Sequence, residues 1–155
     1  VPLVKRLFTV EEYHKMAKAG ILGEDDRVEL LEGEIVQISP IGSRHAACVM
    51  RLTELLSQRV VGRAHVRVQN PILLGEHSEP QPDVTLLRRR EDFYASSHPR
   101  PEDVLLVIEV AETSAAVERE VKAPLYARYG IPEVWVVDLA GGQVEVFRRP
   151  SPQGY

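Results

Sequence analysis

Two acidic residues stand where an apolar strand has least use for them. Asp83 follows Pro82 at the head of the run Val84-Thr85-Leu86-Leu87, and Glu109 interrupts Ile108 and Val110 at the end of the run that begins at Val104. An ionised carboxylate in such surroundings is costly unless a partner or a cation accompanies it. If the two runs are neighbouring strands, as consecutive elements often are, Asp83 and Glu109 reach one hard divalent ion, which takes oxygen ligands and keeps several waters. The bland alternative is that Glu109 closes a strand end on an arginine. Lys122 is the third candidate. The chain holds 15 arginines but only four lysines, and Lys122 is the only lysine beyond residue 18. A compact ammonium in an arginine-biased sequence fits a point charge near water and phosphate better than a bidentate clamp. Against this, Glu118 and Lys122 are spaced four apart in the favourable order for a solvated helix pair.

Weaker signals surround these three. Glu32 sits at a Glu-Gly turn and offers a third carboxylate. Gln69 ends a strand just before Asn70-Pro71, where it can orient a water or substrate, or simply close the strand. His45 falls in the first turn of a helix on the side of Val49 and Leu52, the usual place of a structural histidine. Glu79 belongs to the loop approaching Asp83 and is not expected to be a ligand. Arg88-Arg89-Arg90 either grips phosphates or is a solvated charge run. No His/Cys cluster suits zinc, and neither a glycine-rich phosphate loop nor a Ser or Cys nucleophile motif is present.

The elements that must position these residues can be read from pattern. Thr9-Val10-Glu11-Glu12 is a capping box, so a helix is expected from about residue 10 to 19, stopped by Gly20. Val28 to Leu31 and Glu34 to Ile38 flank the tight turn Glu32-Gly33 and predict a hairpin. From Ser43 as N-cap, Val49, Leu52, Leu55, Leu56 and Val60 recur at helical spacing. Strands are expected at Ala64 to Gln69, Ile72 to Leu74, Asp83 to Leu87, Val104 to Ala111, Val134 to Leu139 and Gln143 to Arg148. The unbroken apolar run from Val104 to Ile108 marks a central strand buried on both faces. A helix from about Ala115 to Tyr129 carries Val117, Val121 and Leu125 at i, i+4 and i+8, with Pro124 as a kink or boundary. The polar, proline-containing segment from Arg88 to Asp103 is expected to be a mobile connection.

Composition sets the frame. At 155 residues, 44% hydrophobic and 27% charged, the chain suits a single domain spanning residues 1–155, neither disordered nor low-complexity. The Pro150-to-Tyr155 turn and the missing initiator Met suggest trimmed ends. A net charge of −4 excludes a surface basic all over, so any polyanion site must be local. The apolar runs fall far short of a membrane span, and no secretory signal is recognisable. A single cysteine, Cys48, excludes a disulfide framework, and the cytoplasm is the expected setting.

Several of these segments, in order, resemble the Uma-two family of restriction-endonuclease-like PD-(D/E)XK proteins. The matching stretches are Glu29-Leu30-Leu31-Glu32-Gly33-Glu34 with Ser39-Pro40 and His45; Glu79 to Val84; Ile108 to Ser114 with Glu118 and Lys122; and Tyr126 to Asp138. The resemblance runs from about residue 7 to 155. It implies an α/β nuclease core, a mixed β-sheet flanked by helices with an N-terminal helix and β-hairpin, and places Asp83 and Glu109 at the two acidic positions. The general pattern puts a lysine two residues after the second acid, where this chain has Ala111; in the family that role passes to the following helix, where Lys122 stands. Glu118 replaces the aspartate expected there.

On this basis the chain is expected to be a Mg²⁺- or Mn²⁺-dependent endonuclease hydrolysing phosphodiester bonds of nucleic acid, with DNA favoured. Asp83 and Glu109 are the metal ligands, Lys122 the charge-stabilising residue, and Glu32, Gln69 and His45 accessory. The rival reading is a catalytically inactive nucleic-acid-binding or regulatory domain on the same fold. A third reading is an interaction protein that uses the open sheet edge, and a homodimer or higher homo-oligomer is expected.

Overall fold

A computed structural model describes all residues, Val1–Tyr155. The elements follow in the order α1 (Val10–Lys18), β1 (Val28–Leu31), β2 (Glu34–Gln37), α2 (Ser43–Val60), β3 (Ala64–Val68), β4 (Val84–Arg88), β5 (Val104–Ala111), α3 (Ala123–Arg128), β6 (Glu133–Asp138) and β7 (Gln143–Arg148). β1 and β2 form the expected hairpin. The other five strands form one mixed sheet in the order β3-β4-β5-β6-β7, in which only β5 and β6 run parallel. That parallel pair needs a crossover, and α3 with the turn before it supplies one.

Alternation along the strands divides the core in two. Val84, Leu106, Ile108, Val110 and Val137 face α2, which covers them with Val49 and Leu56. Leu87, Val104, Val107, Ala111, Val134 and Val136 face α3 and the hairpin, meeting Leu31, Leu125 and Tyr126. β5 is thus covered on both sides, as its unbroken apolar run requires.

The capping box of α1 is formed: Thr9 Oγ1 accepts from the Glu12 N–H at 3.1 Å while the Glu12 carboxylate accepts from the Thr9 N–H at 3.0 Å. At the hairpin turn Gly33 has φ +83°, and a Cβ there would stand 2.6 Å from the Leu7 Cβ, so the sequence needs glycine for backbone conformation and for space.

Four expectations are corrected. The N-cap of α2 is Gly42, not Ser43: the Gly42 carbonyl already accepts the first helical bond, from the Ala46 N–H at 3.0 Å, and the Glu112 carboxylate leaves no room for a side chain at residue 42. Ile72 to Leu74 is not a strand, although Ile72 and Leu74 are fully buried. Its N–H groups go to separate partners: Ile72 to the Pro80 carbonyl, Leu73 to that of Pro99 and Leu74 to that of Ser78. Pro80 and Pro82 cannot return the donors a ladder needs.

The segment from Arg88 to Asp103 is anchored rather than loose. Tyr94 is buried and its hydroxyl donates to the Arg88 carbonyl at 2.6 Å, while the Asp92 carboxylate accepts from Arg90 and Ser96. Finally, the helix expected over 115–129 contains a π-helical stretch, Glu118–Lys122, leading into α3. Its extra residue per turn rotates the Val117-Val121-Leu125 stripe out of register, leaving Val117 and Val121 exposed and only Leu125 in the core. Pro124, whose missing N–H forbids an ordinary helix interior, stands in the first turn of α3.

Candidate active site

The register of β4 on β5 pairs Val84 with Ile108, so Asp83, just ahead of β4, continues that ladder toward Glu109. Val84, Ile108 and Val110 face α2, so the alternation turns Glu109 to the opposite face, toward Lys122 and Tyr126, while Asp83, at a bend just ahead of β4, also reaches His45 of α2. The Val110 N–H donates to Asp83 Oδ2 at 2.8 Å, fixing one carboxylate against the strand that carries the other.

Lys122 completes the arrangement because of the π-helical stretch. The rotation that exposes Val121 turns Lys122 inward, where it is 5% exposed. Its Nζ lies 2.6 Å from Glu109 Oε2 and 2.7 Å from Glu29 Oε1. The solvated Glu118–Lys122 pair is therefore not formed; the lysine reaches the strand end instead. Arg119, the next residue after Glu118, holds the stretch in place from outside, its Nε donating to both Glu145 oxygens at 2.9 Å.

Tyr126, one turn on, is fully buried and donates its hydroxyl to Glu109 Oε2 at 2.6 Å. Glu109 Oε2 thus has two donors, whereas Oε1 accepts no hydrogen bond and belongs to a residue lining an open cleft of about 400 Å³. Glu29, His45, Gln69, Asp83, Glu118 and Lys122 line the same cleft.

His45, in the first turn of α2, places Nε2 3.1 Å from Asp83 Oδ1, while its Nδ1 is buried without a partner. Glu118 likewise has one buried carboxylate oxygen, Oε2, without a donor. Gln69 has φ +51° and donates its N–H to the Asp83 carbonyl at 3.0 Å, which ties it to the cleft wall. Glu32 lies elsewhere. It is exposed at the hairpin turn, pairs with Arg128 and does not line the cleft. Glu79 is buried against His14, 2.5 Å away, also outside the cleft.

The hairpin does supply a carboxylate, from Glu29 rather than Glu32. Glu29 Oε1 accepts from Lys122 and from the Gln81 N–H at 2.8 Å. Its sequence signal was the one that marks Glu109, an acid within an apolar strand, Val28-Glu29-Leu30-Leu31. Tyr126 carried no such signal, since a buried tyrosine at helical spacing reads as core.

Electrostatics follow from this crowding. Burial pushes Glu109 up; Lys122 pulls it back, Asp83 and Glu29 push further, and the net position is about 8. Burial lowers Lys122, but Glu109 and Glu29 outweigh it and hold the ammonium charged. Glu118 is raised chiefly by burial. Five acidic residues, Glu29, Asp83, Glu109, Glu112 and Glu118, line the cleft against two cations, Arg27 and Lys122, an imbalance that a divalent cation would relieve.

The residues present fit such an ion: Asp83 and the free Oε1 of Glu109 offer hard oxygen donors in one cleft, and Glu118 adds an unpartnered oxygen there. No three of His, Cys, Asp and Glu are gathered as a ready-made cage. The site therefore suits an ion that keeps most of its coordination for water and substrate, as Mg²⁺ does.

The family model described as "Uma2: Putative restriction endonuclease" matches residues 10–155. The chain belongs to the Uma2 family. A comparison with curated proteins gave no match. Among solved structures, the chain is similar to one titled a putative nuclease belonging to DUF820 from Anabaena variabilis, with a TM-score of 0.64 at 18% identity. That likeness covers 92% of this chain and 86% of the other. At such identity it speaks for the fold alone. Family and fold are those of restriction-endonuclease-like nucleases, with a mixed sheet between helices preceded by a helix and hairpin. No helix is long and apolar enough to cross a membrane.

Proposed function

We propose that this Uma2 protein is a divalent-metal-dependent endonuclease that hydrolyses phosphodiester bonds of nucleic acid, with DNA the favoured substrate. One observation carries the reading: Asp83, Glu109 and Glu29 converge with Lys122 in a cleft whose negative charge exceeds its positive. A phosphate diester would be repelled from such a cleft unless cations came with it. Mg²⁺ or Mn²⁺ held by Asp83 and Glu109 would supply Lewis acidity toward a phosphoryl oxygen and acidify a water.

The remaining work falls to the chain. Asp83 is oriented by the Val110 N–H and by His45, and Glu109 by Tyr126 and Lys122, so both carboxylates are set before substrate arrives. Lys122 holds a positive charge beside the place where negative charge develops on the phosphoryl group. Its second partner, Glu29, keeps the ammonium from collapsing onto Glu109 alone. Gln69, at the cleft wall, stands where it can orient substrate.

Nicking of supercoiled plasmid and cutting of single-stranded DNA, with Mn²⁺, Mg²⁺ or EDTA, tests this directly. Cleavage is expected with either metal, is lost in EDTA and is lost in Asp83→Ala. Cleavage that survives EDTA, or survives the substitution, overturns the assignment. Absence of cleavage, together with nucleic-acid binding that persists in EDTA, selects the inactive binding domain.

A further inference from the structure

Far from the acidic cleft, the other end of the sheet is basic. Asp83 precedes β4 and Arg88 ends it, a separation of roughly 17 Å at 3.3–3.4 Å per residue. Ala64 pairs with Arg88, which brings Arg63, at the start of β3, beside Arg88 and Arg89. Arg59 joins them from the last turn of α2, its carbonyl accepting from the Arg63 guanidinium. Arg59, Arg63, Arg88 and Arg89 are all exposed, and none makes an ion pair. In a chain of net charge −4, four such guanidinium groups at one end are a local exception.

Carboxylates occur here too, but two are already engaged: Asp92 binds Arg90 and Ser96, and Asp103 accepts from the Arg100 N–H. Glu91 and Glu102 leave the four arginines in excess.

An aromatic ring stands among these charges. Phe93 is 69% exposed, packs at a tilt of 40° against His65 with ring centroids 4.4 Å apart, and lies under the Arg89 guanidinium at 5.9 Å. It is held outward by backbone that L-residues rarely adopt, with φ +54° at Phe93 and +62° at Tyr94. Tyr94 anchors the turn in the core, so Phe93 is directed to solvent. An exposed ring flanked by guanidinium groups without carboxylate partners, Arg88 and Arg63 donating only to the Glu102 and Arg59 carbonyls, matches the chemistry of a single-stranded nucleic acid: a base can stack on the ring while adjacent phosphates meet the arginines.

We propose that this end of the sheet, Arg59, Arg63, Arg88, Arg89 and Phe93, is a second nucleic-acid contact that holds unpaired strand remote from the acidic cleft. The proposal rests on the nucleic-acid reading above only for the identity of the polyanion. Its test does not require turnover.

Binding of a labelled oligothymidylate to the Asp83→Ala protein in EDTA, across a KCl series, reads the contact. Arg63→Glu with Arg89→Glu is expected to weaken binding at least about tenfold and to flatten the slope of log affinity against log salt by about 1.4, two phosphate contacts at 0.7 each. Phe93→Ala is expected to weaken binding about 5- to 100-fold with the slope unchanged, the loss of one base stack. Parent-like binding in either variant, with circular dichroism unchanged, overturns the proposal. Hydrolysis of bis(4-nitrophenyl) phosphate, too small to span both sites, is measured separately with Asp83 intact. If neither the small diester nor plasmid DNA is cleaved in Mn²⁺ while the binding losses appear, the nuclease reading fails and this one stands; if cleavage is seen and the binding losses are absent, the reverse holds.

Discussion

Replacing Lys122 by methionine isolates the charge that the cleft depends on. Methionine keeps an unbranched chain of similar length, so packing changes little while two ion pairs, to Glu109 at 2.6 Å and Glu29 at 2.7 Å, are lost. All three side chains are at most 8% exposed, so water cannot replace the missing partner. Removing one member of a buried pair costs about 3–5 kcal/mol because it strands the other charge. For a chain of this size each kcal/mol moves Tm by about 2–4 °C, giving a fall of roughly 6–20 °C at neutral pH.

The deficit should also depend on pH. Glu109 is raised by burial to about 8 even with Lys122 pulling it down, and removing Lys122 raises it further. A carboxyl whose folded-state value is raised stabilises the protein fully below its ordinary value near 4.5, and that contribution is lost as pH rises through the raised value. Below about pH 8 both folded proteins keep Glu109 protonated and lose stability alike, so its share of the Tm gap should stay constant from pH 5 and widen only above about pH 8, where the parent ionises and the variant does not. Adding Glu29→Gln to the variant should recover part of the loss, and Mn²⁺ should stabilise the variant more than the parent. Thermal denaturation across this pH range, in EDTA and in Mn²⁺, measures all three. A Tm within about 2 °C of the parent at pH 7 would refute the reasoning.

Other substitutions separate neighbouring contributions. His45→Ala removes the partner of Asp83 Oδ1 and should weaken Mn²⁺ binding about 10- to 100-fold in calorimetry, leaving the fold intact. Tyr126→Phe deletes a buried hydroxyl bonded to Glu109 and should cost about 1–3 kcal/mol in urea denaturation. Arg119→Ala breaks a bidentate but solvent-screened pair with Glu145; the urea midpoint should barely move, while DNA cleavage falls because the π-helical stretch no longer fixes Lys122. Because Glu109 must shed a proton to bind metal, Mn²⁺ affinity of the parent should rise about tenfold per pH unit below 8 and level off above it.

Much of the site was legible because charge is conspicuous in an apolar strand. The run ending Ile108-Glu109-Val110 and the head of β4 at Asp83 announced two carboxylates, and arginine bias singled out Lys122. The same logic applied to Val28-Glu29-Leu30-Leu31 would have reached Glu29, which the more conspicuous Glu-Gly turn obscured. Helix periodicity misled at Val117 and Val121, since a pattern count assumes 3.6 residues per turn and a π-helical stretch departs from it.

What the sequence determined by itself was local: the capping box at Thr9, the hairpin turn at Gly33, the central burial of β5 and the acids whose presence needed explaining. These depend on neighbours in the chain, through side-chain alternation, backbone freedom and the cost of burying charge. The tertiary structure alone decided which partners those charges find. Glu29 and Lys122 meet although they come from a hairpin and a helix far apart in sequence. Glu32, beside Glu29 in the same hairpin, turns instead to Arg128 and solvent. The division arises because a burial penalty belongs to one residue and its strand, whereas the pairing that offsets it depends on strand register and helix phase, which only the assembled sheet sets.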